Sequence, residues 1–153
     1  MKISKAKYND LETILELQYI AYESEAIRYN DFSIPPLKQT LNQLIEEAEN
    51  SIILKATDNK NIIGSVRGKL DSVICKVGRL IVHPDFQHRG IGSQLLIEIE
   101  HYFSRVKTFE LFTGSDSENN IRLYKKFGYV ESKKESLNEE IDLIFFQKQM
   151  VDM

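Results

Sequence analysis

Between positions 80 and 93 the chain reads Leu80-Ile81-Val82-His83-Pro84-Asp85-Phe86-Gln87-His88-Arg89-Gly90-Ile91-Gly92-Ser93. An apolar strand ends at a proline, a short loop follows, and two glycines open an amphipathic helix. The apolar side of that helix, read over Gly90 to Phe103, carries Ile91, Leu95, Leu96, Ile99 and Phe103. A helix N-terminus leaves main-chain N–H groups unpaired and carries about half a positive charge. Glycines let a ligand come close to that backbone. The segment therefore predicts an anion cradle suited to phosphate or pyrophosphate. Two phosphate loops are excluded. A dinucleotide G-x-G-x-x-G would need glycine at position 95, where Leu95 stands, and a P-loop would need lysine after Gly92, where Ser93 stands.

The rest of the chain supplies the layers around this segment. Lys2 to Tyr8 alternates weakly, and Asn9 or Asp10 is placed to cap a helix carrying Leu11, Ile14, Leu15, Gln18 and Tyr22. Ser33 to Pro36 reads as a loop and the start of a helix continuing through Leu37, Leu41, Leu44, Ile45 and Ala48. Ser51–Ala56 and Ile62–Arg67 flank a turn at Asp58–Asn61, giving a hairpin. Val73 to Val82 is a further strand, with Gly78 marking a bulge or a close backbone approach. Thr108 to Thr113 is a short strand, and Ser117 opens a helix that Gly128 closes. Tyr129–Ser132 and Ile141–Phe146 form a terminal hairpin. The order β-α-α-β-β-β-α-β-α-β-β predicts an α/β chain with a mixed, mostly antiparallel sheet.

With 153 residues, no repeat and no linker, residues 1–153 read as one domain. The net charge of −3 gives no global drive toward nucleic acid. Cys75 is the only cysteine, so no internal disulfide or multi-cysteine zinc site is expected. No apolar run is long enough to span a membrane, and Met1 to Asp10 lacks the apolar stretch of a secretory signal. A cytoplasmic location is the simplest expectation.

Gln87-His88-Arg89-Gly90-Ile91-Gly92 matches in full the [Q/R]-x-x-G-x-[G/A] signature of the GCN5-related N-acetyltransferase (GNAT) family, which the chain resembles. Leu123-Tyr124-Lys125-Lys126-Phe127-Gly128-Tyr129 is similar to the family's "LYxKxGF" element. The resemblance implies a sheet of about seven strands with about four helices and a V-shaped split between strands 4 and 5. It implies acetyl-CoA as cofactor, no metal, and acetyl transfer to an amine of a small molecule or peptide in a ternary complex. Backbone amides of Gln87, His88, Arg89, Gly90, Ile91, Gly92 and Ser93 would then face the pyrophosphate. The main chain of Leu80, Ile81 and Val82 would pair with the pantetheine arm, and Thr113 would line the split. Tyr124 would protonate the leaving thiolate. The terminal hairpin could support a homodimer, as in many relatives.

The chain departs from the family at three places. Ser117 and Asn120 stand where the family often has the Asn and Ala of N-x-x-A. Either could contact the pantetheine, or Ser117 could cap the helix. Val73 to Arg79 carries no carboxylate to act as base, leaving Glu110 and Glu23 as weak candidates. That absence also admits a non-catalytic CoA-binding sensor or structural module. Third, Tyr22 to Phe32 matches no family motif. Its carboxylates and tyrosines could hold an ammonium, while Arg67 could hold an acceptor carboxylate or pair with Glu110. Cys75 reads as a small buried hydrophobe. Arg122, Lys125 and Lys126 read as a basic helix face, and His83, His88 and His101 lack metal-ligand spacing.

Overall fold

The computed structural model describes residues 1–150. Its elements in order are β1 Lys2–Lys5, α1 Leu11–Tyr29, α2 Pro35–Lys38, α3 Leu41–Glu49, β2 Ile52–Asp58, β3 Asn61–Asp71, β4 Ile74–Val82, α4 Ile91–Tyr102, β5 Thr108–Gly114, α5 Glu118–Lys126, β6 Val130–Ser136 and β7 Asp142–Gln149. The strands form one seven-stranded sheet in the order β1-β2-β3-β4-β5-β7-β6. Every neighbouring pair is antiparallel except β4 and β5. The expected mixed α/β fold is present. No helix among the described residues is long and apolar enough to cross a membrane.

Alternation along the central strands sends apolar side chains to both faces of the sheet. Ile53 faces α1 and α3, where it meets Leu11, Ile14, Leu15 and Leu44. Its neighbours Leu54 and Ala56 join Val66, Cys75 and Val77 in the cluster that α4 covers with Ile91, Leu95, Leu96 and Ile99. Tyr124, Tyr129 and Phe146 extend that cluster under α5. Helix α4 lies close because β3 is thin beneath it. A Cβ on Gly68 would stand 2.5 Å from the Phe103 ring and 3.0 Å from Ile99.

Three local expectations need correction. The segment expected to run as one helix from the Pro35–Pro36 start to Ala48 breaks at Gln39 and Thr40, which have extended backbone. Thr40 starts α3 with a capping box: Gln43 N donates to Thr40 Oγ1 at 3.2 Å, and Thr40 N donates to Gln43 Oε1 at 2.9 Å. Asp10 makes no side-chain cap for α1; it accepts from Lys7 N at 2.7 Å and pairs with Lys55 at 2.6 Å. The expected bulge in β4 is real, but Arg79 and not Gly78 takes the left-handed conformation, with φ of +49°. Arg67 pairs with Gly78 and Ser65 with Ile81, so Arg79 and Leu80 together oppose Val66.

Arg67 is also placed differently from either reading offered for it. It is 3% exposed and sits on the α1 side of the sheet, its position opposite Ile53 in the ladder. Its guanidinium donates to Glu47 at 2.9 Å, to Gln39 at 3.1 Å and to Gln18 Oε1. Gln18 in turn donates to Pro36 O at 2.8 Å and to Gln39 at 3.0 Å. Arg67 thus ties α1, α2 and α3 to the sheet, and Glu110 bonds Gln147 instead. Removing one member of such a network leaves a buried charge without its partner.

Cys75 is fully buried, as expected, and burial pushes its thiol up to about 12. A raised acid pKa keeps the folded thiol neutral, so its stabilising share is complete below the unfolded value of about 8.5. That share is lost as pH climbs from there toward 12. Thiol-reagent kinetics at pH 8 should show no native labelling and full labelling in denaturant; fast native labelling would contradict this burial. Gly68→Ala should destabilise the fold by about 1–3 kcal/mol, because Phe103 and Ile99 must give way. Urea denaturation measures this, and an unchanged midpoint would show that α4 is not held so closely.

Candidate active site

β4 and β5 run together for three residue pairs only: Ile74–Thr108, Cys75–Phe109 and Lys76–Glu110. Beyond them the strands separate. The other edge of β4 stays on β3 through Ser65–Ile81 and Gly64–Val82. The edge of Val77 to Val82 that faces β5 therefore has no ladder partner among the described residues. Two cavities open along this split.

The first, about 530 Å³, lies at the helix side. Leu80, Ile81 and Val82 line it from β4, and Gln87, His88, Gly90, Ile91, Gly92 and Ser93 line it from the loop and the first turn of α4. A tight 3₁₀ turn over Pro84–Phe86 aims this loop, with His83 Nδ1 accepting from Asp85 N at 3.1 Å. His88 and Gly90 have φ of +64° and +79°. Gly90 thus turns the chain into α4 in a conformation that glycine adopts without strain, and a Cβ there would meet nothing within 4 Å. The first main-chain bond of α4 runs from Gln94 N to Gly90 O at 3.1 Å. The N–H groups of Ile91, Gly92 and Ser93 precede it and have no intrahelical acceptor. Arg28, Arg122 and Lys126 add positive charge to the walls. Arg89 lines neither cavity; its guanidinium lies 5.0 Å above the Phe86 ring.

The second cavity, about 170 Å³, lies on the far side of the split. Tyr124 and Thr113 line it, and Leu80, Asn120, Tyr22 and Glu25 line both cavities. Those four side chains are the seam between the two. Asn120 is fixed by donating to Thr113 Oγ1 at 3.2 Å. Ser117 does not cap α5 with its side chain. Its hydroxyl donates to the Glu25 carboxylate.

Tyr124 is 5% exposed, with its ring 5.9 Å from Phe146 and 6.1 Å from Tyr129. Burial pushes its phenol far above the usual value, and the nearby Tyr22 and Glu25 push the same way. The phenol holds its proton through the neutral range. Burial also raises the phenol of Tyr22, against the opposing charge of Arg79. Tyr29 is raised by burial too, although it accepts from Asp116 N at 2.9 Å.

The base candidates sort by position. Glu23 is exposed, and Glu110 accepts from Gln147 Nε2 at 3.0 Å where the split begins. Neither lines a cavity, whereas Glu25 lines both. Reading for a carboxylate on the strand before the loop missed it. The signal was on α1: Tyr22, Glu25 and Tyr29 stand at i, i+3 and i+7, one helical face.

Comparison with known proteins agrees with this fold. The crystal structure of the ribosomal-protein-S18-alanine N-acetyltransferase of Escherichia coli superposes with a TM-score of 0.81 at 17% identity, covering 99% of this chain and 95% of that one. The PaiA N-acetyltransferase of Thermoplasma acidophilum, solved in complex with coenzyme A, superposes with a TM-score of 0.72 at 21% identity, covering 97% and 98%. A curated relative, the UPF0157 protein YqkA of Bacillus subtilis, is 25% identical over 122 residues. That match takes in 78% of this chain but only 34% of the length of YqkA. The structural likenesses establish the fold. The family model described as Acetyltransferase (GNAT) family matches residues 11–129, the stretch that builds both cavities up to α5, and the chain belongs to that family.

Proposed function

We propose that this chain is an N-acetyltransferase that carries the acetyl group of acetyl-CoA to a primary amine. The observation that carries the reading is the bare edge of β4 that lines the glycine-loop cavity and the cavity holding Tyr124. The residues present fit acetyl-CoA. The amides of Ile91, Gly92 and Ser93 suit a diphosphate, and Arg28, Arg122 and Lys126 add cationic charge. The edge of Leu80 to Val82 can pair with the amides of the pantetheine arm as a strand would. Bound, acetyl-CoA supplies an acetyl group activated as a thioester.

The chain's own residues do the rest. Main-chain N–H groups at the split polarise the carbonyl oxygen. The acceptor ammonium first loses a proton, with Glu25 at the seam placed to pass it to solvent. The amine nitrogen then forms the C–N bond as the C–S bond breaks. Tyr124, protonated at neutral pH, delivers its proton to the departing sulfur, and the second proton shed by nitrogen restores the phenol. The β6 edge, exposed along its length, offers a second copy a place to pair.

Gly90→Trp should fill the open space of the loop and weaken acetyl-CoA binding roughly 100-fold or more, the loss of about two charge-assisted hydrogen bonds. Calorimetry measures it, and undiminished affinity would remove the loop from the site. Tyr124→Phe should lower kcat by about 10²–10⁴-fold while leaving the affinity for acetyl-CoA within about threefold. Thiol release under saturating substrates tests this, and a full-speed variant would take Tyr124 out of the reaction. Binding of CoA without transfer to any amine would favour the sensor reading.

A further inference from the structure

Resting on the transferase reading, we propose that the second cavity is a subsite for a small amino acid, with Arg79 holding the acceptor's carboxylate and Glu25 its ammonium. Arg79 is set apart by its place at the bulge and by the lack of a carboxylate partner. It stands at the β4 bulge in a left-handed conformation that turns it out of the ladder register, and it lines the cavity beyond the split. Its Nε is buried with no hydrogen-bond partner, as is that of Arg67. No carboxylate pairs with it among the described residues, and its guanidinium lies 6.0 Å from the centre of the Tyr22 ring. A guanidinium that lines a cavity without a carboxylate beside it leaves its charge to what the cavity holds. A guanidinium offers a planar fork that matches a carboxylate in two-point contact.

The comparison with Arg67 sharpens this. Arg67 lies on the same pair of strands, but its terminal nitrogens are taken up by Glu47, Gln39 and Gln18. Glu25, by contrast, shares the cavity with Arg79 and supplies the opposite charge. The two charges suit a zwitterion, the amine falling toward the seam and Tyr124. Ile34, Pro36, Leu137, Ile141 and Leu143 form much of the remaining wall, which suits an apolar acceptor side chain. A volume of about 170 Å³ suits a single residue. A peptide N-terminus would bring an amide, not a carboxylate, to Arg79.

The test uses L-leucine, leucinamide and 3-methylbutylamine, which share an apolar body and an amine but differ in the carboxylate. Thiol release with acetyl-CoA should give the wild type a kcat/KM for leucine at least about tenfold above leucinamide. Arg79→Gln should raise KM for leucine about tenfold or more and bring the acid-to-amide ratio near one. Arg79→Lys, which keeps the charge and loses the fork, should fall between. Thermal melting of each variant checks that it folds. In parallel, L-leucine is titrated by NMR into the protein without acyl donor; its binding should be lost in Arg79→Gln. Equal use of leucine and leucinamide by the wild type, or a KM for leucine unmoved in Arg79→Gln, overturns the subsite. Acetylation of 3-methylbutylamine without leucine binding overturns the subsite and leaves the transferase reading standing. Leucine binding that depends on Arg79, with no thiol release from any amine, keeps the subsite and overturns the transferase reading.

Discussion

β4 and β5 share three residue pairs of parallel ladder and then leave each other, and nearly everything else in this protein depends on that parting. A sheet that stayed closed would satisfy its own main-chain groups and offer a ligand nothing. Here the unpaired edge of Val77 to Val82 stays inside the fold, held in place because its other edge remains on β3. Open strand edges are normally covered or blunted. This one is kept open between two cavities, with Leu80 lining both. The bulge at Arg79 and Leu80 helps, since an extra residue bends a strand and increases its local twist.

Helix α1 serves both sides of the structure. Its first half buries Leu11, Ile14 and Leu15 against Ile53, and Gln18 locks it to Arg67. Its second half turns Tyr22, Glu25 and Tyr29 toward the split. The Arg67 network anchors the helix one turn before those side chains begin. Tyr29 is packed tightly against the end of β5: a Cβ on Gly114 would stand 2.4 Å from its hydroxyl. The second cavity is therefore built on fixed elements, which suits a defined small ligand.

Much of the fold could be read from the chain before its structure was known, for physical reasons that differ by element. The glycine loop and α4 were legible because a proline, two glycines and a helical apolar stripe act locally. The hairpin of β2 and β3 followed from its turn chemistry in the same way. The break at Gln39 and Thr40 was not, because Leu37 through Ala48 keeps a helical apolar face across it; the extended backbone there goes with the buried bonds from Gln18 and Arg67, which are tertiary. Asn9 or Asp10 was expected as a cap; Asp10 stands at that position, but its carboxylate is drawn to Lys55 on a distant strand. For the site, Gln87, His88 and Gly90 to Ser93 line the first cavity and Tyr124 lines the second. The Arg89 side chain rests on Phe86, so only its main chain is left to face that cavity. Ser117 proved to be a partner of Glu25 from 92 residues away, a contact that no local pattern encodes.

The central claim is that the bare β4 edge and the first turn of α4 together grip one extended ligand. Amide hydrogen exchange measured with and without acetyl-CoA tests it most directly. The account predicts that acetyl-CoA slows exchange at Leu80 to Val82 and at Ile91 to Ser93 together, with little change at the β1 and β2 end of the sheet. Slowing elsewhere with these two stretches unaffected, or no change at saturating acetyl-CoA, would contradict it.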